Sequence, residues 1–304
     1  MIKKTIVTLS DSNYFPLLEE LIHSIRKFKQ SENIDICVLD AGLSSDQLDL
    51  ISTQVDEIKK ADWDIDIPFY KKGKEWLKSQ ISRAFLPKYF PNYDKYLWID
   101  CDAWVNSWEC IENYFKACEN NKLGITQSIG PGYRNLAKVN WIFGKFAAIK
   151  TQNYKHAKMS GLLEKDARKI AFVPHLNIGV FSLMKQSSCW DVWQKNLKKT
   201  LAKGRVFGSE GLAINMSVYI DNVKTEFLPI SHNWITSHLL PVYDEKNKTF
   251  KEPNIPYNEI GIIHLAAGIW KNGVDMRVDK SVKIKISNTK GEMIEKSLRY
   301  ISKI

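Results

Sequence analysis

The sequence predicts an α/β protein in which helices flank a doubly wound, mainly parallel sheet. Short apolar segments alternate with helical patterns through the first half of the chain, and polar turns follow the apolar segments. The chain has 304 residues, of which 44% are hydrophobic and 26% charged. This length and composition are typical of a globular protein with one large domain.

The first half contains four expected strands and the helices between them. A strand at residues 6–9 precedes a helix whose apolar side chains run from Leu17 to Ile25 at helical spacing. Ser44 or Ser45 can cap the second helix. The other expected elements are a strand at residues 34–39, a short strand at 55–58, a helix at 74–90 that Pro87 kinks or shortens, and a buried strand ending at residue 99.

The second half is less regular. Residues 127–160 break the alternation, and we interpret them as an insertion that covers the site. The elements expected after them are a buried strand at residues 173–181, a helix marked by Trp190, Trp193 and Leu197, a helix capped by Ser209, and a late strand at 260–264.

The tail is expected to form a basic amphipathic helix. Lysines are frequent from Lys280 onward, and Met293, Ile294, Leu298 and Ile301 fall on one helical face. Such a helix can lie on anionic lipid or pack against the domain with its lysines in water. We therefore divide the chain into a domain at residues 1–279 and an extension at 280–304.

The net charge indicates the class of partner, and the cysteines indicate the compartment. A formal net charge of +10 fits an anionic partner, such as a nucleotide diphosphate, an acidic glycan or an anionic membrane. Nucleic acid is not expected, because the lysines are dispersed and no recognition motif is present. Five scattered cysteines without a C-x-x-C pair indicate a reducing compartment. With no signal peptide or membrane-spanning segment recognised, a cytoplasmic protein is expected.

Two aspartates follow the buried strand that ends at residue 99. Asp100 and Asp102 are one residue apart, so in an extended chain both side chains point to the same side. Ligands of open α/β sheets bind at the carboxyl ends of the strands, and two carboxylates there suit one hard divalent ion. The alternative is an ordinary turn with solvated aspartates. The chain has neither G-x-G-x-x-G nor a P-loop, so a bound diphosphate would need other compensation for its charge.

Several motifs, taken in order, resemble glycosyltransferase family 8, the retaining, metal-dependent sugar transferases of the GT-A fold. The resemblance extends from about residue 4 to residue 273. It rests on the segments at residues 9–14 (LSDSNY), 82–83 (SR), 96–102 (YLWIDCD), 176–180 (LNIGV) and 264–268 (HLAAG), and on Lys271.

The resemblance implies a GT-A-like, Rossmann-related sheet and a metal site. Asp100, Asp102 and His264 would coordinate Mn²⁺, or Mg²⁺ in its place, together with the diphosphate of a UDP-sugar. A satisfied core or loop histidine is the alternative for His264.

The resemblance also implies positions for the donor. Asp11 and Asn13 would hold the base or ribose, although both residues also favour turns and helix caps. Lys271 would reach a phosphate beside Gly268, or remain a solvated lysine. Arg83 would pair with the aspartates or the diphosphate, or lie exposed on its helix. Asn177 and Gly179 would border the sugar, although Gly179 can equally mark a bulge.

The sequence departs from the family pattern twice. Ser209-Glu210 stands where the family usually has an Asp-Gln pair near the reacting carbon, and Lys271-Asn272-Gly273 lacks the usual proline and tryptophan. Glu210 could act as a nucleophile, stabilise an oxocarbenium-like centre, or be only a first-turn glutamate facing the helix dipole.

The prediction is a metal-dependent retaining hexosyltransferase that moves a sugar from a UDP-sugar to a glycan or glycolipid acceptor of a bacterial-type surface polysaccharide. Peripheral contact with the inner membrane face would occur through the C-terminal segment. The alternative is a catalytically silent nucleotide- or glycan-binding protein on the same fold.

Overall fold

The computed structural model describes residues 2–301 and contains a central seven-stranded sheet with helices on both faces. Its strands, with those of five smaller sheets, are β1 Lys4–Ser10, β2 Asp35–Asp40, β3 Glu57–Lys60, β4 Lys95–Ile99, β5 Ala103–Val105, β6 Leu123–Ser128, β7 Ala137–Ile142, β8 Phe146–Thr151, β9 His175–Met184, β10 Thr225–Leu228, β11 Trp234–Ile235, β12 Val242–Asp244, β13 Thr249–Lys251, β14 Ile262–His264, β15 Trp270–Lys271, β16 Val274–Asp275, β17 Ile284–Ser287 and β18 Met293–Lys296.

The α-helices are mostly amphipathic and cover the sheet. They are α1 Phe15–Arg26, α2 Ser45–Ser52, α3 Ser79–Ser82, α4 Leu86–Tyr89, α5 Glu109–Ala117, α6 Gln152–Met159, α7 Glu164–Lys169, α8 Cys189–Lys203 and α9 Ser209–Tyr219. Ser44 caps α2 in a capping box with Gln47, as one of the two expected caps.

The central sheet has the order β10-β6-β9-β4-β1-β2-β3. All its pairings are parallel except the two made by β9, which runs antiparallel between β6 and β4. Every residue of β4 is buried, and its side chains alternate between the two faces. Trp98 joins the core cluster on one face and Leu97 the cluster on the other. The expected mixed, mainly parallel α/β sheet is confirmed.

A smaller sheet, ordered β11-β14-β5, continues from the end of β4. Strand β5 lies only three residues after β4 and pairs antiparallel with β14, so that Ala103 lies opposite His264. This pairing brings a histidine from late in the chain to the turn that contains Asp100 and Asp102.

Two helix predictions need correction. The helix expected at residues 74–90, with a kink or shortening at Pro87, is instead a series of short 3₁₀ and α segments. The break before α4 falls at Phe85, whose φ of −125° and ψ of 21° are not helical, and Pro87 stands in the first turn of α4, where its missing N–H removes no helical bond. Ser209 is not the cap of α9 but its first helical residue. The cap is Gly208, whose φ of 84° places it in the left-handed region that favours glycine.

The expected C-terminal helix is also wrong. Residues 284–296 form the hairpin of β17 and β18, and no helix is found between Lys280 and Ile301, where the description of the chain ends. Isoleucine and lysine alternate with a period of two in β17, and Gly291 adopts a φ of 87° in the turn. Arg299 then ties the segment to the domain through a two-pronged ion pair with Glu20.

Residues 127–160 contain a second hairpin, formed by β7 and β8 and followed by α6. We call Ala137–Thr151 the β7–β8 hairpin. It forms a two-stranded sheet of its own, and every residue of β7 is exposed. Among residues 2–301, no helix is long and apolar enough to cross a membrane.

Candidate active site

Asp100, Asp102 and His264 meet at the carboxyl end of β4. The backbone N–H of Asp100 donates to the carbonyl of Gly179, and the Leu265 N–H donates to the carbonyl of Asp102. These bonds fix the turn on both sides. One ligand atom from each of the three side chains lies within 4.8 Å of the other two.

Each aspartate has one anchored oxygen and one inner oxygen. Arg83 Nη2 lies 3.0 Å from Asp100 Oδ1, which also accepts from Trp98 Nε1 at 2.7 Å. Arg277 Nη1 lies 3.7 Å from Asp102 Oδ2. The inner oxygens face His264 Nε2, at 4.0 Å for Asp100 Oδ2 and 3.1 Å for Asp102 Oδ1.

The electrostatics of the three groups follow from burial and from their mutual contacts. Burial raises the pKa of the Asp100 carboxyl above its usual value, although Arg83 and His264 oppose this shift. Burial also disfavours the ionised form of Asp102, but His264 outweighs it and leaves the pKa low. For His264, burial lowers the pKa, and the Asp102 carboxylate more than reverses that effect. The contact between Asp102 and His264 therefore decides the direction of both pKa shifts.

The donor set fits a divalent cation. Two carboxylate oxygens and an imidazole nitrogen are ligands that Mn²⁺ or Mg²⁺ accepts in proteins, the carboxylates more readily for Mg²⁺. The inner oxygens and Nε2 already converge, whereas the outer oxygens are held by arginines. The ligand set expected at this point is brought together by the fold.

Asn233 orients the His264 ring through a contact with Nδ1. Its Oδ1 lies 2.8 Å from His264 Nδ1, and its Nδ2 donates to the Asn177 carbonyl at 3.4 Å. This second bond indicates that the oxygen faces the ring, so Nδ1 carries the proton and Nε2 is left to face the aspartates.

Replacing Asn233 with alanine is expected to weaken Mn²⁺ binding by roughly 10–100-fold, because His264 loses the partner that fixes its tautomer. Isothermal titration calorimetry with Mn²⁺ and UDP measures this change. Asn233→Asp retains an oxygen acceptor for Nδ1 and is expected to recover part of the affinity. Equal affinity in the alanine variant and the wild type would contradict the orienting role.

Gly179 leaves the space that the His264 ring occupies. A Cβ at this position would lie 2.3 Å from His264 Cε1 and 2.9 Å from Asp100 Oδ2. The backbone of β9 thus passes directly beside two of the three groups. A close approach of backbone to side chains is the physical reason for glycine here.

Gly179→Ala is expected to lower the free energy of unfolding by roughly 1–3 kcal/mol, because the added methyl overpacks the site. Urea denaturation measures the change. Gly211→Ala is the control, since its Cβ would meet His175 only at an ordinary 3.8 Å. A Gly179→Ala protein as stable as the wild type would show that the ring moves aside at little cost.

Glu210 lies buried in the first turn of α9. Its carboxylate interacts electrostatically with Arg83 and Asp100. Burial raises the pKa of Glu210 to about 7, although Arg83 opposes the shift. Within residues 2–301, its Oε2 is buried and has no hydrogen-bond partner. A buried carboxylate oxygen without a partner is costly and is typical of functional sites.

The raised pKa of Glu210 predicts a pH-dependent stability. Between the unfolded pKa near 4.5 and the folded pKa of about 7, the folded protein binds more protons than the unfolded one. The free energy of unfolding therefore falls as pH rises through this window, by up to about 3 kcal/mol from this group. Urea denaturation in chelator from about pH 5 to about pH 8 should show this slope, and Glu210→Gln should reduce it. Equal slopes in both proteins would refute the assignment.

Three other predicted site residues bond to residues outside the group of Asp100, Asp102 and His264. Asp11 accepts from the backbone N–H groups of Asn13 and Tyr14, as a helix cap. Asn177 is buried and donates to the Asn233 carbonyl. Lys271 donates to the Lys283 carbonyl and pairs with Glu295 of the C-terminal hairpin.

Two further predicted residues have clear surroundings. Of the partners expected for Arg83, the structure shows Asp100; the side chain is buried, and its guanidinium lies 4.8 Å from the centre of the Trp98 ring. Gly268 has a φ of 71°, and a Cβ there would lie 2.6 Å from the Asp275 carboxylate.

Asn233, Arg277 and Asp275 were not identified from the sequence. Arg277 makes its close pair with Asp275 at 2.8 Å and lies 5.8 Å from the centre of the Tyr14 ring. Nothing local marks these residues, because their roles arise from tertiary contacts. The polar triplet before β11, which includes Asn233, was the one available signal.

The sequence was compared with known families and structures. A sequence model described as "Glycosyl transferase family 8" matches residues 5–264. The chain belongs to this family. The search of curated proteins found no match.

Similar solved structures include two of LgtC and one of the glycosyltransferase GlyE. The galactosyltransferase LgtC, solved with donor and acceptor sugar analogues, is 14% identical with a TM-score of 0.51, and covers 86% of this chain and 87% of its own. An active-site glutamine-to-glutamate mutant of LgtC is 12% identical with a TM-score of 0.53, and the match covers 91% of this chain and 93% of the mutant. GlyE of Streptococcus pneumoniae is 14% identical with a TM-score of 0.51, and the match covers 91% of this chain and 59% of GlyE. These likenesses show the GT-A fold, and family 8 membership makes the protein a glycosyltransferase.

Proposed function

We propose that this glycosyltransferase is a retaining hexosyltransferase that uses a UDP-sugar, Mn²⁺ or Mg²⁺, and a glycan or glycolipid acceptor. The observation that carries the proposal is the convergence of Asp100 Oδ2, Asp102 Oδ1 and His264 Nε2 at the sheet edge. In a family 8 chain without a glycine-rich phosphate loop, this cluster is the feature suited to a donor diphosphate.

Asp100, Asp102 and His264 would hold the ion, which when bound supplies a Lewis acid for charge on the departing diphosphate. Arg83 and Arg277 hold the outer carboxylate oxygens and keep the inner ones directed at the site. Asn233 holds His264 Nδ1 and thereby directs Nε2 towards the two aspartates. These contacts support a site prepared by the protein itself.

Residues around the cluster supply the donor contacts in this proposal. Asp11 and Asn13 would bind the base or ribose, Asn177 the sugar, and Gly268 and Lys271 a phosphate. Lys271 would exchange its contacts with Lys283 and Glu295 for the phosphate. A lysine suits that exchange, since its flexible side chain carries a compact charge.

Glu210 is the proposed group at the anomeric carbon. The family resemblance implies that glutamine is usual at this position, and one similar structure is of an active-site glutamine-to-glutamate mutant of LgtC. As nucleophile, an ionised Glu210 oxygen would bond to the anomeric carbon while the carbon–oxygen bond to UDP breaks and its electron pair leaves with UDP. The acceptor hydroxyl would then displace Glu210 and pass its proton to a UDP oxygen, and two inversions give retention.

The alternative role for Glu210 is to stabilise an oxocarbenium-like centre electrostatically, without forming a covalent bond to the sugar. Mass spectrometry of the protein incubated with a nucleotide sugar and no acceptor separates the roles. A mass gain of one hexose, located at Glu210 by peptide mapping, supports the nucleophile.

A screen of nucleotide sugars for Mn²⁺-dependent hydrolysis tests the function as a whole. We expect slow release of UDP from one UDP-hexose, and no release in excess chelator. Calorimetric binding of UDP and Mn²⁺ without turnover of any nucleotide sugar would favour the catalytically silent binding protein. Undiminished hydrolysis in chelator would refute the metal site.

A further inference from the structure

The β7–β8 hairpin exposes large apolar side chains on both of its strands. Trp141, Phe143 and Phe146 are 69%, 93% and 68% exposed, and all three lie at the hairpin end. A two-stranded hairpin without a buried face gains little stability from its own packing. A cluster of exposed aromatic residues of this kind marks an interaction surface.

The charge around this hairpin has one sign. The 44 residues between Glu119 and Glu164 contain seven Lys and Arg and no Asp or Glu. At the average of the whole chain, with 34 acidic residues in 304, such a stretch would contain about five. Lys138 and Lys145 are both exposed on the hairpin. This combination complements an anionic surface.

The apolar surface continues from the hairpin onto the neighbouring helical segment. Ile149 of β8 lines a shallow cavity together with Phe172, which is 72% exposed. Arg168 lines the same cavity and is paired there with Glu164 at 3.0 Å, so the free basic groups of this surface are those of the hairpin itself. The strand register places Ile149 on the same face of the hairpin as Trp141, and Phe146 and Lys138 on the opposite face, so the two faces meet only at the hairpin end.

We propose that the β7–β8 hairpin docks the protein on an anionic lipid bilayer. Trp141, Phe143 and Phe146 would enter the headgroup region, where aromatic rings are favoured, and Lys138 and Lys145 would face lipid phosphates. A protein partner fits less well, because the cores of protein interfaces are depleted in lysine.

Membrane contact would then occur at the β7–β8 hairpin and not at the C-terminal segment. That segment is a hairpin joined to the domain by the Arg299–Glu20 and Lys271–Glu295 pairs. The inference does not depend on the donor site, because it concerns a surface with its own chemistry.

Co-sedimentation of the full chain with vesicles tests the proposal. We expect binding to vesicles of equal parts phosphatidylglycerol and phosphatidylcholine, and little binding to pure phosphatidylcholine. Trp141→Ser with Phe143→Ser should lower the partition coefficient at least about tenfold, since two aromatic groups that would insert into the bilayer are lost. Lys138→Glu with Lys145→Glu should lower it by about twentyfold or more, at about fivefold for each lysine.

Matched variants separate the hairpin from general effects. Lys283→Glu with Lys290→Glu makes the same charge change on the C-terminal segment, and Phe69→Ser with Tyr70→Ser removes two other exposed aromatic rings. Both should bind vesicles as the wild type does. Circular dichroism and thermal unfolding confirm that every variant is folded.

Three results would overturn the proposal. They are no binding to anionic vesicles, equal loss in the C-terminal charge variant, or a self-associated wild type that becomes monomeric in the Trp141→Ser, Phe143→Ser variant without any vesicle binding. The last result would assign the surface to contact between copies of this chain. A hairpin variant that loses vesicle binding but still hydrolyses the donor would leave the proposed function intact.

Discussion

Asp102→Ala is expected to lower the rate of metal-dependent sugar transfer by roughly 10²–10³-fold, the loss typical when a main electrostatic stabiliser is removed. Asp102 supplies an inner oxygen of the candidate metal site and is the partner of His264 at 3.1 Å. Its loss would leave one carboxylate and an unpaired histidine. Steady-state rates at increasing Mn²⁺, with His264→Ala in parallel, measure the effect.

The fold should survive this change, since Arg277 keeps its closer pair with Asp275. Thermal unfolding provides that check. Asp191→Ala, an exposed aspartate in the first turn of α8, is the matched control and should keep wild-type rates. Full activity of Asp102→Ala, or of the wild type in excess chelator, would end the metal assignment.

If Glu210 is the covalent nucleophile, Glu210→Gln is expected to reduce transfer by roughly 10³-fold or more while UDP binding changes little, because an amide cannot form the covalent bond. If the glutamine usual in the family suffices at this position, the variant keeps its transfer rate. The exchange preserves shape, so the loss reports chemistry rather than packing. Transfer rates measured at saturating donor, together with calorimetric UDP affinity, separate the two effects.

The control for Glu210→Gln is Glu109→Gln, which makes the same exchange in the first turn of α5 at an exposed position. It should leave the rate unchanged. A Glu210→Gln enzyme with full activity would mean that Glu210 is only a first-turn residue facing the helix dipole.

Local patterns in the sequence were sufficient for the sheet and for part of the site. Asp100 and Asp102 could be placed because a fully buried strand ends immediately before them. His264 needed the family resemblance, since its approach to the aspartates depends on the pairing of β5 with β14. Asn233 and Arg277 act through long-range contacts that no local pattern encodes.

The elements that were wrongly predicted have a similar explanation. In residues 284–296 a spacing compatible with one helical face coexists with an alternation compatible with strands, and periodicity alone cannot choose between them. Pairing of β17 with β18 decides for the strands. At residues 74–90 the apolar spacing suits a helix, but the backbone must also bury Arg83 beneath Asp100.

The contacts that hold one oxygen of Asp100 and one of Asp102 lower the side-chain entropy that is lost when an ion binds. A carboxylate that rotates freely in water must lose that freedom when it coordinates a metal, and this entropy cost weakens binding. Here Arg83, Trp98 and Arg277 have already restricted both side chains during folding. The site is preorganised, so ion binding orders few further protein torsions and selects for ions whose size matches a fixed spacing.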